Sequence, residues 1–285
     1  MFERRRDRRA TATTPPASPR RFTGTLGGDD AGTPPSLSVE GVELSLVGNR
    51  EDNQDRVAVL RDEDAMLLVA VDGMGGHLGG ARAAETTVDT LARVFASVRK
   101  PLLDPQGFLH LALGRAHAAV VELGAREHLD VRPRATCAAA LVQDGGSWWA
   151  HVGDSRIYQL RAGHVARRTR DHSHVELLLQ HGYITEAQTE RHPMRNYVEC
   201  CLGGDATLPE MTLGRRQPLR PGDVLLVCTD GFWSGLRESV LSALSVPDGS
   251  DRFAERVAGL AADAVRANSP HADNTSVVAL RTLPA

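Results

Sequence analysis

The heptapeptide Val71-Asp72-Gly73-Met74-Gly75-Gly76-His77 sets one carboxylate at the end of an apolar run and follows it at once with glycine-rich backbone. Residues 65–71 read as a short buried strand, and glycines dominate the stretch from Gly73 to Gly80. A strand end holds the backbone of such an acid while the carboxylate points outward. The glycine beside it lets the main chain approach a ligand and offer a carbonyl oxygen. Carboxylate, carbonyl and water together suit a hard divalent cation. The same string is equally a tight strand-to-helix turn.

Further acids repeat the pattern. The apolar run 223–228 leads into Thr229-Asp230-Gly231, and His271-Ala272-Asp273-Asn274-Thr275 precedes a strand at 276–280. Arg50-Glu51-Asp52-Asn53-Gln54-Asp55 stands just before a strand at 56–60. Any one of these acids is a turn former by type. Four in series, spread over the chain, are expected to converge at one edge of a sheet.

These strings resemble, in order, those of the metal-dependent serine/threonine phosphatases of the protein phosphatase 2C (PPM) type, bacterial branch. The matching segments are R-x-x-N-Q-D at Arg50–Asp55, DGMGGH at Asp72–His77, RATCAAALV at Arg134–Val142 and VGDSRIYQL at Val152–Leu160. TRDHS at Thr169–Ser173, RNYVECCLG at Arg195–Gly203, CTDGFW at Cys228–Trp233 and ADNTSVV at Ala272–Val278 complete the set. The resemblance covers the chain from about Val42 onward.

The resemblance implies roles. Asp72 would bridge two cations, Asp230 and Asp273 would complete the first cation's ligands, and the carbonyl of Gly73 would serve the second, near Asp55. Arg50 would grip the substrate phosphate through paired N–H donors. Asp154 would join Asp230 at a weaker third cation. A structural acid in the GDSR turn, salt-bridged to Arg156, is the competing reading for Asp154. Two positions depart from the family pattern. Gln54 stands where a glutamate is common, which leaves the second site weaker or hands it to Asp55. Met74 stands where many eukaryotic relatives carry a histidine thought to protonate the leaving group, and metal-bound water is the substitute.

Phosphate monoesters hydrolyse extremely slowly without a catalyst, with enzymatic accelerations reaching about 10²¹. Two cations about 3.5–4 Å apart can activate a bridging water and stabilise both attacking and leaving oxygens. Oxygen ligands favour Mn2+ or Mg2+ over zinc or copper. The expected reaction is hydrolysis of phosphoserine and phosphothreonine in proteins by a metal-bridging hydroxide, opposing a bacterial serine/threonine kinase. Cys137, Cys200, Cys201 and Cys228 have apolar neighbours and no phosphate loop of the cysteine-phosphatase kind. Two other readings stay open. One is a phosphoprotein-binding pseudophosphatase, with Gln54 and Met74 as its signs. The other is a stage-II-sporulation-like phosphatase, although such relatives usually lack the combined GDSR and DHS segments.

Other reactive side chains take plainer readings. His77 packs the glycine turn more readily than it donates a proton, and His172 and His174 cap the helix after them or face solvent. His151 is a strand residue, His271 a turn residue and Thr136 a half-buried strand threonine. Trp148, Trp149 and Trp233 are packing residues.

The elements that must position the acids follow from periodicity. Helices are expected at 81–98, 106–128, 237–244 and 251–268, and strands at 135–143, 147–152, 156–160 and 211–215. The resemblance implies an α+β fold, a central antiparallel β-sandwich flanked by helices in α-β-β-α layers, with a flap at about 165–201. Residues 1–36, rich in Arg, Pro and Gly, read as a disordered tail, and 37–285 as the phosphatase domain.

The chain has 285 residues, 41% hydrophobic, with 33 basic and 36 acidic side chains. An acidic body does not suit nucleic acid. No run approaches the roughly 18–20 apolar residues of a membrane span. Arginines near the start are followed by no apolar signal segment, and four cysteines without a scaffold pattern suit a reducing compartment. The expectation is a monomeric cytoplasmic protein.

Overall fold

The computed structural model describes residues 17–26, 37–75, 77–189, 191–247 and 252–283. The strand Met66–Val71 is buried at every position, which its unbroken apolar sequence demands. It pairs antiparallel with Arg56–Arg61 on one side and Cys137–Gln143 on the other. Gly146–Val152 and the two-residue Thr212–Leu213 extend that sheet. A second sheet runs in the order Arg20–Leu26, Leu37–Leu46, Thr275–Thr282, Val224–Cys228, Arg156–Arg161, His164–Arg168, all antiparallel.

Three apolar layers hold these parts together. Leu68, Ala70, Ala138 and Ala140 meet Ile157, Leu225, Val227 and Val278 between the sheets. The helices His77–Ser97 and Pro105–Leu123 cover the first sheet through Leu91, Leu109 and Leu113. Phe253–Asn268 covers the second through Phe253, Val257 and Ala261. This is the expected α-β-β-α arrangement.

Local details differ from the sequence expectations for physical reasons. The first helix begins at His77 and so takes in Gly79 and Gly80, because strand end and helix start touch backbone to backbone. A Cβ on Gly73 would lie 2.0 Å from the carbonyl oxygen of Gly80. The second helix stops at Leu123, with Gly124 as its C-cap, rather than at 128. Residues 135–143 do not form one strand. Thr136 interrupts them, leaving Arg134–Ala135 in a small sheet with Gly73–Met74 and Leu202–Gly203. The helix expected at 237–244 spans Glu238–Ser242 and ends in a 3-10 turn.

The reading of residues 1–36 as disordered is corrected at Arg20–Leu26, which forms a strand paired along its whole length with Leu37–Glu43. Phe22 and Leu26 alternate with polar neighbours and are buried at 6% and 2% exposure. That period-2 signal lay hidden in an arginine- and threonine-rich composition. The rest of the expected tail, residues 1–16 and 27–36, lies outside the described residues apart from 17–19. Residues 165–201, which the resemblance makes a flap, contain the short helices His174–Gln180 and Glu186–Thr189, and the strand His164–Arg168, which was not expected, runs into their start.

Candidate active site

The register brings the acids to one end of the sandwich. Leu46 pairs with Thr275, Val277 with Cys228 and Cys228 with Arg156, so the second sheet ends there with Asp230 and Asp273 just beyond. In the first sheet Arg56 pairs with Val71, which places Asp55 and Asp72 side by side at the same end. Asp154 lies in the turn after Gly146–Val152.

Hydrogen bonds tie the two sheet ends together. The Thr229 hydroxyl donates to Asp55 Oδ2 at 2.8 Å, and Gln54 N–H donates to Asn274 Oδ1 at 2.8 Å. Asn274 Nδ2 donates in turn to the carbonyls of Val47 and Asp52, at 2.8 and 2.9 Å. Asn274 thereby fixes the loop carrying Arg50. Arg50 Nη2 donates to Asp273 Oδ2 at 2.6 Å, and its side chain is 57% exposed at the lip of the cluster. Gln54 places its amide oxygen beside Gly80, where the Gly73 carbonyl also lies.

The carboxylates raise one another's proton affinity. Asp55, 1% exposed, is pushed up to about 7, first by burial and then by Asp230 and Asp273, against the hydroxyls of Ser276 and Thr229. Burial and then Asp273 push Asp230 up to about 6. Asp72 is held well above the usual carboxylate range by burial and by Asp55, Asp230, Asp154 and Asp273. Asp154 is raised by burial, Asp230 and Asp171. Its Oδ1 is buried without a hydrogen-bond partner. Five mutually repelling carboxylates with one orphaned oxygen form a donor set that fits hard divalent cations. Among the described residues no three His, Cys, Asp or Glu side chains already stand as a closed ligand set. A cation would have to draw these acids together.

The competing reading of Asp154 as the partner of Arg156 is overturned. Arg156 gives both Nε and Nη2 to Asp171, each at 2.7 Å, and lies 3.3 Å from the centre of the Trp233 ring. Thr136 is fully buried rather than half-buried. It donates its N–H to the Asp72 carbonyl at 2.9 Å, and its hydroxyl meets that of Ser155 at 2.7 Å. Trp233 also does more than pack, since its indole N–H donates to the Asp154 carbonyl at 3.0 Å. Sequence reasoning gave these two no role. The one available signal was their position within the RATC and DGFW strings.

His172 borders the turn that carries Asp154, its Nδ1 accepting from the Gly153 N–H at 3.3 Å. His151 stacks on His172 with centroids 4.5 Å apart, and its Nε2–H donates to the Arg170 carbonyl at 2.7 Å. Ser173, not a histidine, caps the helix His174–Gln180. His271 is an exposed turn residue, as expected, and the side chain of His77 lies outside the described residues. Burial pushes the Cys137 thiol up to about 12 and raises Cys228 further, so neither is a nucleophile.

A family model described as protein phosphatase 2C matches residues 45–268. The chain belongs to the protein phosphatase 2C family. A putative protein phosphatase 2C-type of Streptococcus pyogenes is 35% identical over 185 residues, covering 64% of this chain and 74% of its own. The solved S. agalactiae serine/threonine phosphatase superposes with a TM-score of 0.77 at 28% identity, over 85% of this chain and 99% of that one. The catalytic domain of the serine/threonine phosphatase PstP, solved in complex with two manganese ions, gives 0.68 at 26% identity, over 93% of this chain and 99% of its own.

Proposed function

We propose that this protein phosphatase 2C member hydrolyses phosphoserine and phosphothreonine in proteins, with Asp55, Asp72, Asp230, Asp273 and the Gly73 carbonyl holding two divalent cations, Mn2+ or Mg2+. Gln54 lends its amide to the second cation, and Asp154 joins Asp230 at a weaker third. The observation that carries the reading is the convergence of Asp55, Asp72, Asp154, Asp230 and Asp273 at one end of the sandwich, where burial and neighbouring charge raise the carboxyls of Asp55, Asp72, Asp154 and Asp230. When bound, the cations supply charge neutralisation and an activated water.

The chain's own residues do the rest. Arg50, exposed at the lip, takes the substrate phosphate through guanidinium N–H groups while Asp273 orients it. Thr229 holds the Asp55 carboxylate by one oxygen and leaves the other free of that bond. Asn274 keeps the Arg50 loop in place over the acids. The raised thiols speak against a cysteinyl-phosphate route, and no observation favours a binding module without catalysis.

The catalytic domain is assigned to 37–285 with a flap at 165–201, and Arg20–Leu26 adds an edge strand to it. The setting is reversal of a serine/threonine kinase's phosphorylation in the cytoplasm. No helix among the described residues is long and apolar enough to cross a membrane. Phosphate release from a phosphothreonine peptide tests the proposal. Mn2+ should stimulate it, and Asp72→Asn or Asp230→Asn should abolish it, whereas full activity in both variants would end the mechanism.

A further inference from the structure

Asp154 is buried at 7% exposure in the turn between Gly146–Val152 and Arg156–Arg161, with Oδ1 unpartnered. An unsatisfied buried acceptor is costly, and more so when charged. A free turn would relieve that cost by rotating the acid toward solvent or toward the arginine two residues on. This turn cannot, because it is held from two sides. Ser155 is tied to Thr136, whose N–H is bonded to the Asp72 carbonyl. On the other side the Trp233 indole N–H holds the Asp154 carbonyl at 3.0 Å. Trp233 closes the helical turn that Asp230 opens.

The indole is fixed in its turn. The Arg156 guanidinium covers its ring at 3.3 Å, in cation–π contact. Asp171 holds that guanidinium through two bonds of 2.7 Å, and Tyr158 receives a third at 3.0 Å. The pair is shielded, with side-chain exposures of 15% for Arg156 and 7% for Asp171. Arg156, two residues on, is the counter-ion the sequence offers Asp154, yet the fold pairs it with Asp171. The effect is to leave one carboxylate oxygen free beside Asp230.

We infer that Trp233, locked by the Arg156–Asp171 pair, is a positioning residue that stations Asp154 against Asp230 so that the free oxygen of Asp154 can hold a further divalent cation. The inference rests on the function proposed above. Asp171 stands within the flap region, so the brace also connects that region to the acid cluster.

The test uses the full chain, with free Mn2+ read by electron paramagnetic resonance during titration, alongside thermal melts and phosphopeptide hydrolysis. Trp233→Phe keeps an aromatic face for Arg156 and removes only the N–H donor. It should weaken the loosest Mn2+ equivalent by about two- to tenfold, the worth of one ordinary hydrogen bond, and leave the tighter equivalents unchanged. Asp171→Asn, which disrupts the guanidinium pairing in nearly the same shape, should move the same equivalent. Asp154→Asn should abolish that equivalent, and Trp233→Phe should then add nothing in the Asp154→Asn background. An unchanged Mn2+ isotherm in Trp233→Phe with only a lower melting temperature overturns the inference, as do additive effects with Asp154→Asn. A wild-type chain that binds two Mn2+ and no third overturns it while leaving the phosphatase reading intact. A wild-type chain that binds no Mn2+ overturns both.

Discussion

Asp55→Asn isolates the cost of a carboxylate that is buried, and then repelled by Asp230 and Asp273, in the metal-free site. Asp55 is 1% exposed, and its carboxyl is pushed from 3.8 to about 7. Between these values the native chain keeps a proton that the unfolded chain has lost, so stability falls as pH rises through the window and levels off above about 7. Each pH unit well inside the window is worth about 1.4 kcal/mol, and with levelling near 7 this gives about 2–3 kcal/mol between pH 5 and 8. Asparagine can still accept the Thr229 hydroxyl and carries no charge. In chelator, the stability of Asp55→Asn relative to wild type should therefore rise by about 2–3 kcal/mol between pH 5 and 8. In melting temperature that is roughly 5–10 °C for a chain of this size. His151, which burial holds down at about 4, loses stability in the opposite direction below its unfolded value, but it does so equally in both proteins. Urea or thermal melts of the two chelated proteins at pH 5 and pH 8 make the measurement. A difference that stays constant or shrinks with rising pH would refute the argument. Saturating Mn2+ at pH 8 should reverse the order, because wild type then regains a ligand that the variant lacks.

Arg50→Ala should raise KM for a phosphothreonine peptide by about 10- to 100-fold, the worth of a charge-assisted hydrogen bond of about 1.5–3 kcal/mol. Its melting temperature should barely move, since the side chain is 57% exposed, and steady-state kinetics beside a thermal melt check both. Gly73→Ala should unfold the protein or lower its melting temperature by more than about 10 °C. The added Cβ would lie 2.0 Å from the Gly80 carbonyl oxygen and 2.8 Å from that of Gln54, and circular dichroism melts decide it. Leu68→Ala, in the fully buried layer between the sheets, should cost about 2–5 kcal/mol in urea melts while Mn2+ stoichiometry is unchanged.

Asp72, Asp230 and Asp273 were legible in the sequence because each follows or precedes an apolar strand and has a small or turn-forming neighbour. Strand and helix periodicity located most elements for the same local reason. The bonds that make a site of those acids were not legible. Thr229 meets Asp55 across 174 positions, and Gln54 meets Asn274 across 220, contacts set by sheet register rather than by neighbours in the chain. Arg156 pairs with Asp171 rather than with Asp154, its neighbour two positions away in the chain, a preference that only the packing against Trp233 reveals. The break at Thr136 and the strand Arg20–Leu26 were missed because composition and a continuous apolar run masked where the backbone changes partner.

Anomalous diffraction at the manganese edge, from crystals grown with Mn2+, tests the central claim most directly. The account predicts two strong peaks flanking the Asp72 carboxylate, one of them also touching Asp230 and Asp273. Strong peaks only outside the acid cluster, or none within it at saturating Mn2+, would contradict it.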